Sequence, residues 1–164
     1  MGKIINGVYV DWIEKVRILQ KAVIKNKSGL ILALKRASDQ NRPRPNCWDL
    51  VGGSVEVEDI KKWKEKSGRG DNNDILINAL RREIKEETNL ETGNIQVIRA
   101  ASGFNEQKKI FVVAIGYACA AANESELALS PEHVEFKWVE KSDFLKLEIG
   151  TDGGLIQSIL KQSD

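Results

Sequence analysis

The longest apolar run in the chain, IFVVAIGYACAAA over residues 110–122, sets the first limit on the fold. It is shorter than the roughly 18–20 residues needed to span a bilayer, so it reads as a buried strand. Other stretches read the same way. Residues 16–24, VRILQKAVI, are rich in β-branched side chains; Asn26, Lys27, Ser28 and Gly29 then supply turn chemistry, and LILAL follows, which predicts a β-hairpin. WDLV over 48–51 leads into Gly52-Gly53 and SVEVE, which reads as a strand, a tight glycine turn and a second short strand. IQVIRAAS and EFKWVE complete the set of strands.

Between these lie loops and helices. KRASDQNRPRPNC over 35–47 is basic, holds two of the three prolines and has no hydrophobic period, so it is a loop. Residues 59–73 are polar apart from Ile60 and Trp63 and read as an exposed excursion, partly helical at its start. Asp71, Asn72, Asn73 and Asp74 then offer side-chain oxygens to the free N–H groups of a new helix, which begins near Asp74. Leu76, Ile77, Leu80 and Ile84 form one apolar stripe at helical spacing. The helix is expected to stop near Asn89, a residue suited to the left-handed conformation that closes helices. SDFLKL and GLIQSILKQ read as short helices. Strands interleaved with helices indicate an α/β (α+β) domain with a mixed β-sheet, and 164 residues suit a single domain, 1–164, with an inserted loop at about 59–73.

Charge and cysteine usage exclude several classes of function. Lys and Arg (25) nearly cancel Asp and Glu (24), so no overall field marks a nucleic-acid coat or a polybasic membrane binder. Cys47 and Cys119 stand far apart without a CxxC or Cys/His cluster, which argues against a disulfide framework or a zinc site and makes a reducing, cytoplasmic setting the expectation. MGKIINGVYV has neither a signal-peptide pattern nor a myristoylation signal, and the tripeptides at Asn26 and Asn123 read as chance matches to a glycosylation site.

The chemistry is concentrated in REIKEETNL, residues 82–90. Glu86 and Glu87 are the i+3 and i+4 neighbours of Glu83, so the three carboxylates share one side of a helix. With Leu80 at zero and about 100° per residue, Glu87, Glu83 and Glu86 fall at about −20°, −60° and −120°, bordering the apolar stripe. Carboxylates about 6 Å apart repel by roughly 3 kcal/mol per pair at an effective dielectric near 20, a penalty that a divalent cation turns into binding energy. Hard oxygen ligands select Mg²⁺ or Mn²⁺. The plainer alternative is a solvated helix face, with Arg82 and Glu86 as an ordinary i,i+4 pair.

WDLVGGSVEVED followed by ALRREIKEETNL resembles the Nudix box, G-x5-E-x7-R-E-U-x-E-E-x-G-U with U a bulky apolar residue. Arg82, Glu83, Ile84, Glu86, Glu87 and Leu90 fall on the pattern in order, and the N-terminal hairpin and PEHVEFKWVE resemble the family's flanks. The chain departs from the pattern at three places. Asn89 replaces the last glycine, and Val51 stands where proline usually precedes the two glycines. The third is an insertion of about fifteen residues that splits the box, so the first Glu falls on Asp59 counted from Gly53 and on Asp74 counted back from Arg82.

The resemblance implies a Nudix-type α/β/α sandwich and a MutT-like hydrolase dependent on Mg²⁺ or Mn²⁺. Such an enzyme cleaves a pyrophosphate linkage in a nucleoside diphosphate joined to another group. It implies that Glu86 and Glu87 ligate metal, that Glu83 is a further ligand or the base, that Arg82 orients Glu83, and that a backbone carbonyl at Gly53 completes the shell. Some members draw another carboxylate from a later segment, for which Glu132 and Glu135 are candidates; His133 between them reads as a bystander. Lys35, Arg36, Arg42 and Arg44 are candidates for the substrate's polyphosphate, and Trp63 for stacking on a base. The rival to catalysis is a Nudix-fold module that binds a nucleotide without turning it over. The implied partner is a small nucleotide; nucleic acid and membrane are disfavoured, and a homodimer is compatible with the sequence.

Overall fold

The backbone turns where the local chemistry dictates. Asn26 Oδ1 accepts from the N–H groups of Ser28 and Leu30, and Gly29 adopts φ of 81°, so β3 (Lys15–Lys25) folds back into β4 (Ile31–Arg36) as the hairpin expected. Asp74 caps α2 (Ile75–Thr88) by accepting from the N–H groups of Leu76 and Ile77, and Asn89 closes it at φ 57°, ψ 9° with its N–H on the Lys85 carbonyl. Both ends of this helix lie where the side chains predict them. The computed structural model describes residues 15–39, 44–65, 74–150 and 153–163, with the backbone of β1 (Lys3–Ile5) and β2 (Val8–Val10), which pair as a separate two-stranded sheet.

The main sheet is mixed. Its order is β5 (Trp48–Asp49), β4, β3, β7 (Ile110–Ala120) and β6 (Gln96–Asn105), with β8 (His133–Val139) pairing along the other edge of β4. β3 and β7 run parallel with Lys15 opposite Ile110, and the other pairings are antiparallel. The run from Ile110 is therefore a strand of the main sheet, and no helix among the described residues is long and apolar enough to cross a membrane.

Alternation along β3 splits the core into two layers. Ala22 and Ile24 join Leu32, Leu34, Tyr117 and Cys119 beneath Leu80 and Ile84 of α2. Val23 joins Ile31, Ala33 and Trp48 beneath Phe144 of α3 (Lys141–Phe144) and Ile156, Ile159 and Leu160 of α4 (Gly153–Leu160). Helices thus cover both faces, giving the α/β/α sandwich. Cys47 and Cys119 are both free thiols, and burial pushes Cys119 up to about 12.

One local expectation fails. SVEVE does not form a strand: Ser54 makes only an isolated bridge to Leu19, and α1 (Val57–Glu65) begins three residues later. Asp59 decides this, because its carboxylate accepts from the Glu56 N–H at 2.8 Å and closes the first turn of α1. The insertion at about 59–73, expected to be partly helical at its start, does start inside α1; residues 66–73 lie outside those described.

Candidate active site

The helical wheel of α2 translates directly into burial. Leu80 is fully buried, Glu87 is 9% exposed, and the side chains of Glu83 and Glu86 are 14% and 59% exposed, the order that their angles from Leu80 require. The patch is therefore graded, with Glu87 inside the protein and Glu86 at the surface.

Gly52 and Gly53 bring the turn against this helix. Gly52 has φ of 134°, and a Cβ there would lie 2.3 Å from the Gln20 carbonyl oxygen. A Cβ on Gly53 would lie 2.4 Å from the Glu83 carboxyl. Glycine is thus required at Gly52 for the backbone and at Gly53 for the carboxylate beside it. The Gly52 N–H donates to Glu87 Oε2 at 2.8 Å, orienting the buried acid. Gly53, expected to present its carbonyl to a metal, has that oxygen engaged by the Gln20 N–H at 2.8 Å. No described residue donates to the Gly52 carbonyl, so that oxygen is the uncommitted one in the turn.

Arg82 organises the remaining acids. Its Nε and Nη2 donate to Asp59 Oδ1 and Oδ2 at 2.8 and 3.0 Å, a two-pronged pair that lowers the Asp59 pKa. Its Nη1 lies 2.8 Å from Glu86 Oε2 and its Nη2 3.1 Å from Glu83 Oε1. Of the two aspartates that the split box offers, Asp59 stands with Arg82, whereas Asp74 is the helix cap. Among the described residues no three metal-ligating side chains converge on one point as they stand, since Arg82 draws Glu83 and Glu86 toward itself.

Burial raises the carboxyl of Glu87 to about 7, against the nearby charge of Lys21 and the Gly52 N–H. Glu83 is raised too, chiefly by burial and against the Arg82 charge. Glu87 also faces His133, whose Nε2 lies 3.9 Å from Oε1. Burial pushes His133 down to about 4, so at neutral pH this contact is between an acid and a neutral imidazole and is no ion pair.

The last turn of α2 also fixes the loop before β8. The N–H groups of Ala128 and Ser130 donate to the carbonyls of Thr88 and Glu87, and Glu83, Glu86, Glu87, Ser130, Pro131 and Glu132 line one cleft of about 320 Å³. Glu132 is thereby brought to the three helix glutamates. Glu135 is not: it stands on β8 against Lys137 at 3.2 Å and Lys35 at 3.7 Å, and does not line the cleft. Trp63 lies on α1, 37% exposed, and does not line the cleft either.

The basic candidates divide. Arg42 lies outside the described residues. Arg36 and Arg44 reach within 3.6 and 3.4 Å of Asp49, which is buried and hydrogen-bonded by Lys21 Nζ at 2.8 Å. Lys21 and Asp49 escaped the reading of the sequence. The signal was a lysine and an aspartate inside apolar strands, where a buried charge has to be paired.

The same fold is found in several solved structures. A MutT protein from Methanosarcina mazei Go1 superposes with a TM-score of 0.62 at 23% identity, covering 90% of this chain and 93% of its own. A MutT NUDIX hydrolase from Burkholderia pseudomallei gives 0.62 at 20% identity, over 92% and 100%. A C. elegans Ap4A hydrolase gives 0.54 at 23% identity, over 87% and 92%. No curated protein sequence matches the chain. The NUDIX domain family model matches residues 20–157, which include the glycine turn, the Arg82 pair and all the glutamates of the cleft, and the chain belongs to the Nudix hydrolase family.

Proposed function

We propose that this protein hydrolyses a pyrophosphate linkage in a small nucleotide, a nucleoside diphosphate joined to another group, with Mg²⁺ or Mn²⁺ as cofactor. The observation that carries this is that Glu83, Glu86, Glu87 and Glu132 line one cleft beside the glycine turn. The donor set fits the ion: all four side chains offer carboxylate oxygens, and the Gly52 carbonyl adds an uncommitted backbone oxygen. A divalent ion held there supplies charge neutralisation on the phosphate and a more acidic water.

The chain's own groups then have separable roles. Glu87, buried and held by the Gly52 N–H, is the fixed ligand, whereas the exposed Glu86 adjusts. Glu83 is positioned by Arg82, which is itself anchored on Asp59, and serves as a ligand or as the base; burial raises its pKa in the direction that makes it a better proton acceptor. Three cations, Lys21, Arg36 and Arg44, surround the single carboxylate of Asp49, and no described residue accepts from the buried Nε of Arg36. Arg36, with its Nε unengaged, suits the anionic phosphates of the substrate.

The test is phosphate release from nucleoside triphosphates, nucleotide sugars, ADP-ribose and dinucleoside polyphosphates, with Mg²⁺ or Mn²⁺ and secondary phosphatases present. Metal-dependent turnover that falls by orders of magnitude in Glu87→Gln is expected. Nucleotide binding without turnover on any member of the panel would refute catalysis and leave the binding module.

A further inference from the structure

The start of β8 changes face beside the cleft. Along β4, Leu34 stands opposite Phe136 and Lys35 opposite Glu135, but Arg36 stands opposite His133, so Val134 is one residue extra on β8. Leu32, Leu34 and Trp138 pack on the α2 side, whereas Ile31, Ala33 and Val139 pack on the α4 side, which places Lys35 and Glu135 with the second set. Unbroken alternation would carry His133 to the side of Glu135, two residues on. The extra residue turns it to the α2 side instead, the re-aiming that a β-bulge beside a site performs.

What His133 meets there is Glu87. The imidazole is buried, with Nε2 3.9 Å from Glu87 Oε1. Glu87 Oε2 already accepts from the Gly52 N–H, so the ring faces the second oxygen of the same carboxyl. Ser130 holds the ring from its other edge. Its N–H donates to the Glu87 carbonyl at 3.0 Å, its carbonyl accepts from the His133 N–H at 3.1 Å, and its hydroxyl lies 3.5 Å from His133 Nδ1. A hydroxyl proton directed at Nδ1 leaves the proton of a neutral imidazole on Nε2, on the side of Glu87.

We propose that His133 is a positioning residue for the divalent ion: its Nε2–H donates to Glu87 Oε1 when that carboxylate is charged and ligates the ion, so that Gly52 and His133 together fix the ligand's orientation. The proposal rests on the hydrolase reading above. A hydrogen bond needs a separation of about 3 Å, so the pair closes by about 1 Å on metal binding. Each carboxylate oxygen has a second lone pair, which leaves Glu87 able to ligate while it accepts both hydrogen bonds. Partners that orient a metal ligand in this way are worth about tenfold to a hundredfold in metal affinity.

His133 is the chain's only histidine, so nitrogen-15 NMR reads its ring without overlap. In saturating Mg²⁺ the spectrum is expected to show a ring protonated on Nε2. Mn²⁺ affinity, measured by water-proton relaxation, is expected to fall about tenfold or more in His133→Phe, which fills the space without a donor. His133→Gln, whose amide N–H can reach the same oxygen, is expected to return to within about threefold of wild type. A ring protonated only on Nδ1 in Mg²⁺ overturns the proposal, as does wild-type affinity in His133→Phe or an equal loss in the two variants. Melting in EDTA shows whether His133→Phe folds; if it does not, the ring tautomer decides. A wild type that binds no Mn²⁺ fails the hydrolase reading and takes His133 with it, whereas a wild type that binds, with an indifferent His133→Phe, loses His133 alone.

Discussion

Replacing Glu87 by glutamine should stabilise the metal-free protein while abolishing its chemistry. Glu87 is 9% exposed, and burial raises its carboxyl from the ordinary 4.5 to about 7. At about 1.36 kcal/mol for each pH unit, that rise is a folded-state penalty of about 3 kcal/mol on the charged form. In the unfolded chain the group ionises near 4.5, whereas the folded protein retains the proton to about 7. The penalty is therefore absent below pH 4.5, grows between the two values and is complete above pH 7. Glutamine never ionises, and its carbonyl can accept from the Gly52 N–H as Glu87 Oε2 does. In EDTA at pH 8 the variant should be more stable by up to about 3 kcal/mol, a rise in melting temperature of roughly 5–10 °C for a domain of this size. At pH 4.5 the two proteins should melt together. Saturating Mn²⁺ should stabilise the wild type and leave the variant unmoved, because an ion that binds only the folded state adds stability by mass action. A variant less stable than wild type at pH 8 in EDTA, or a difference independent of pH, would refute the assignment of Glu87 as the buried, proton-retaining acid.

Three further outcomes follow from the same geometry. Gly52→Ala should destabilise the fold by several kcal/mol in urea unfolding, since its Cβ meets the Gln20 backbone and its φ is 134°; Gly53→Ala should melt near wild type but lose Mn²⁺ affinity, since the atoms nearest its Cβ are those of the movable carboxyl of Glu83. Asp59→Asn should cost about 2–3 kcal/mol at pH 7 in urea titration. Because Arg82 holds the Asp59 pKa below its ordinary 3.8, the wild-type advantage is present above that pH and is lost as the pH falls through the lowered folded value, whereas Asp74→Ala should cost about 1 kcal/mol at either pH and spare activity. Lys21→Met, which leaves the buried Asp49 without its 2.8 Å partner, should cost about 3–5 kcal/mol, measured by urea unfolding; a cost under about 1 kcal/mol would show that Arg36 and Arg44 suffice to balance Asp49.

What the sequence determined by itself is whatever depends on neighbours along the chain. The ends of α2 were legible because Asp74 and Asn89 act on backbone groups within four residues, and the graded burial of Glu87, Glu83 and Glu86 was legible because helical angle alone places each relative to Leu80. The β3–β4 turn was local in the same way. What the tertiary structure alone decided is whatever joins distant segments. Whether Asp59 or Asp74 meets Arg82 turns on a pairing across 23 residues, and spacing could not settle it because the insertion made both counts available. Glu132 and Glu135 are three residues apart, yet the hydrogen bonds from the loop to the end of α2 bring the first into the cleft, while β-strand geometry points the second at Lys35 and Lys137. Lys21 and Asp49 stayed hidden for the same reason: a charge buried in a strand is explained only by a partner that the sheet supplies.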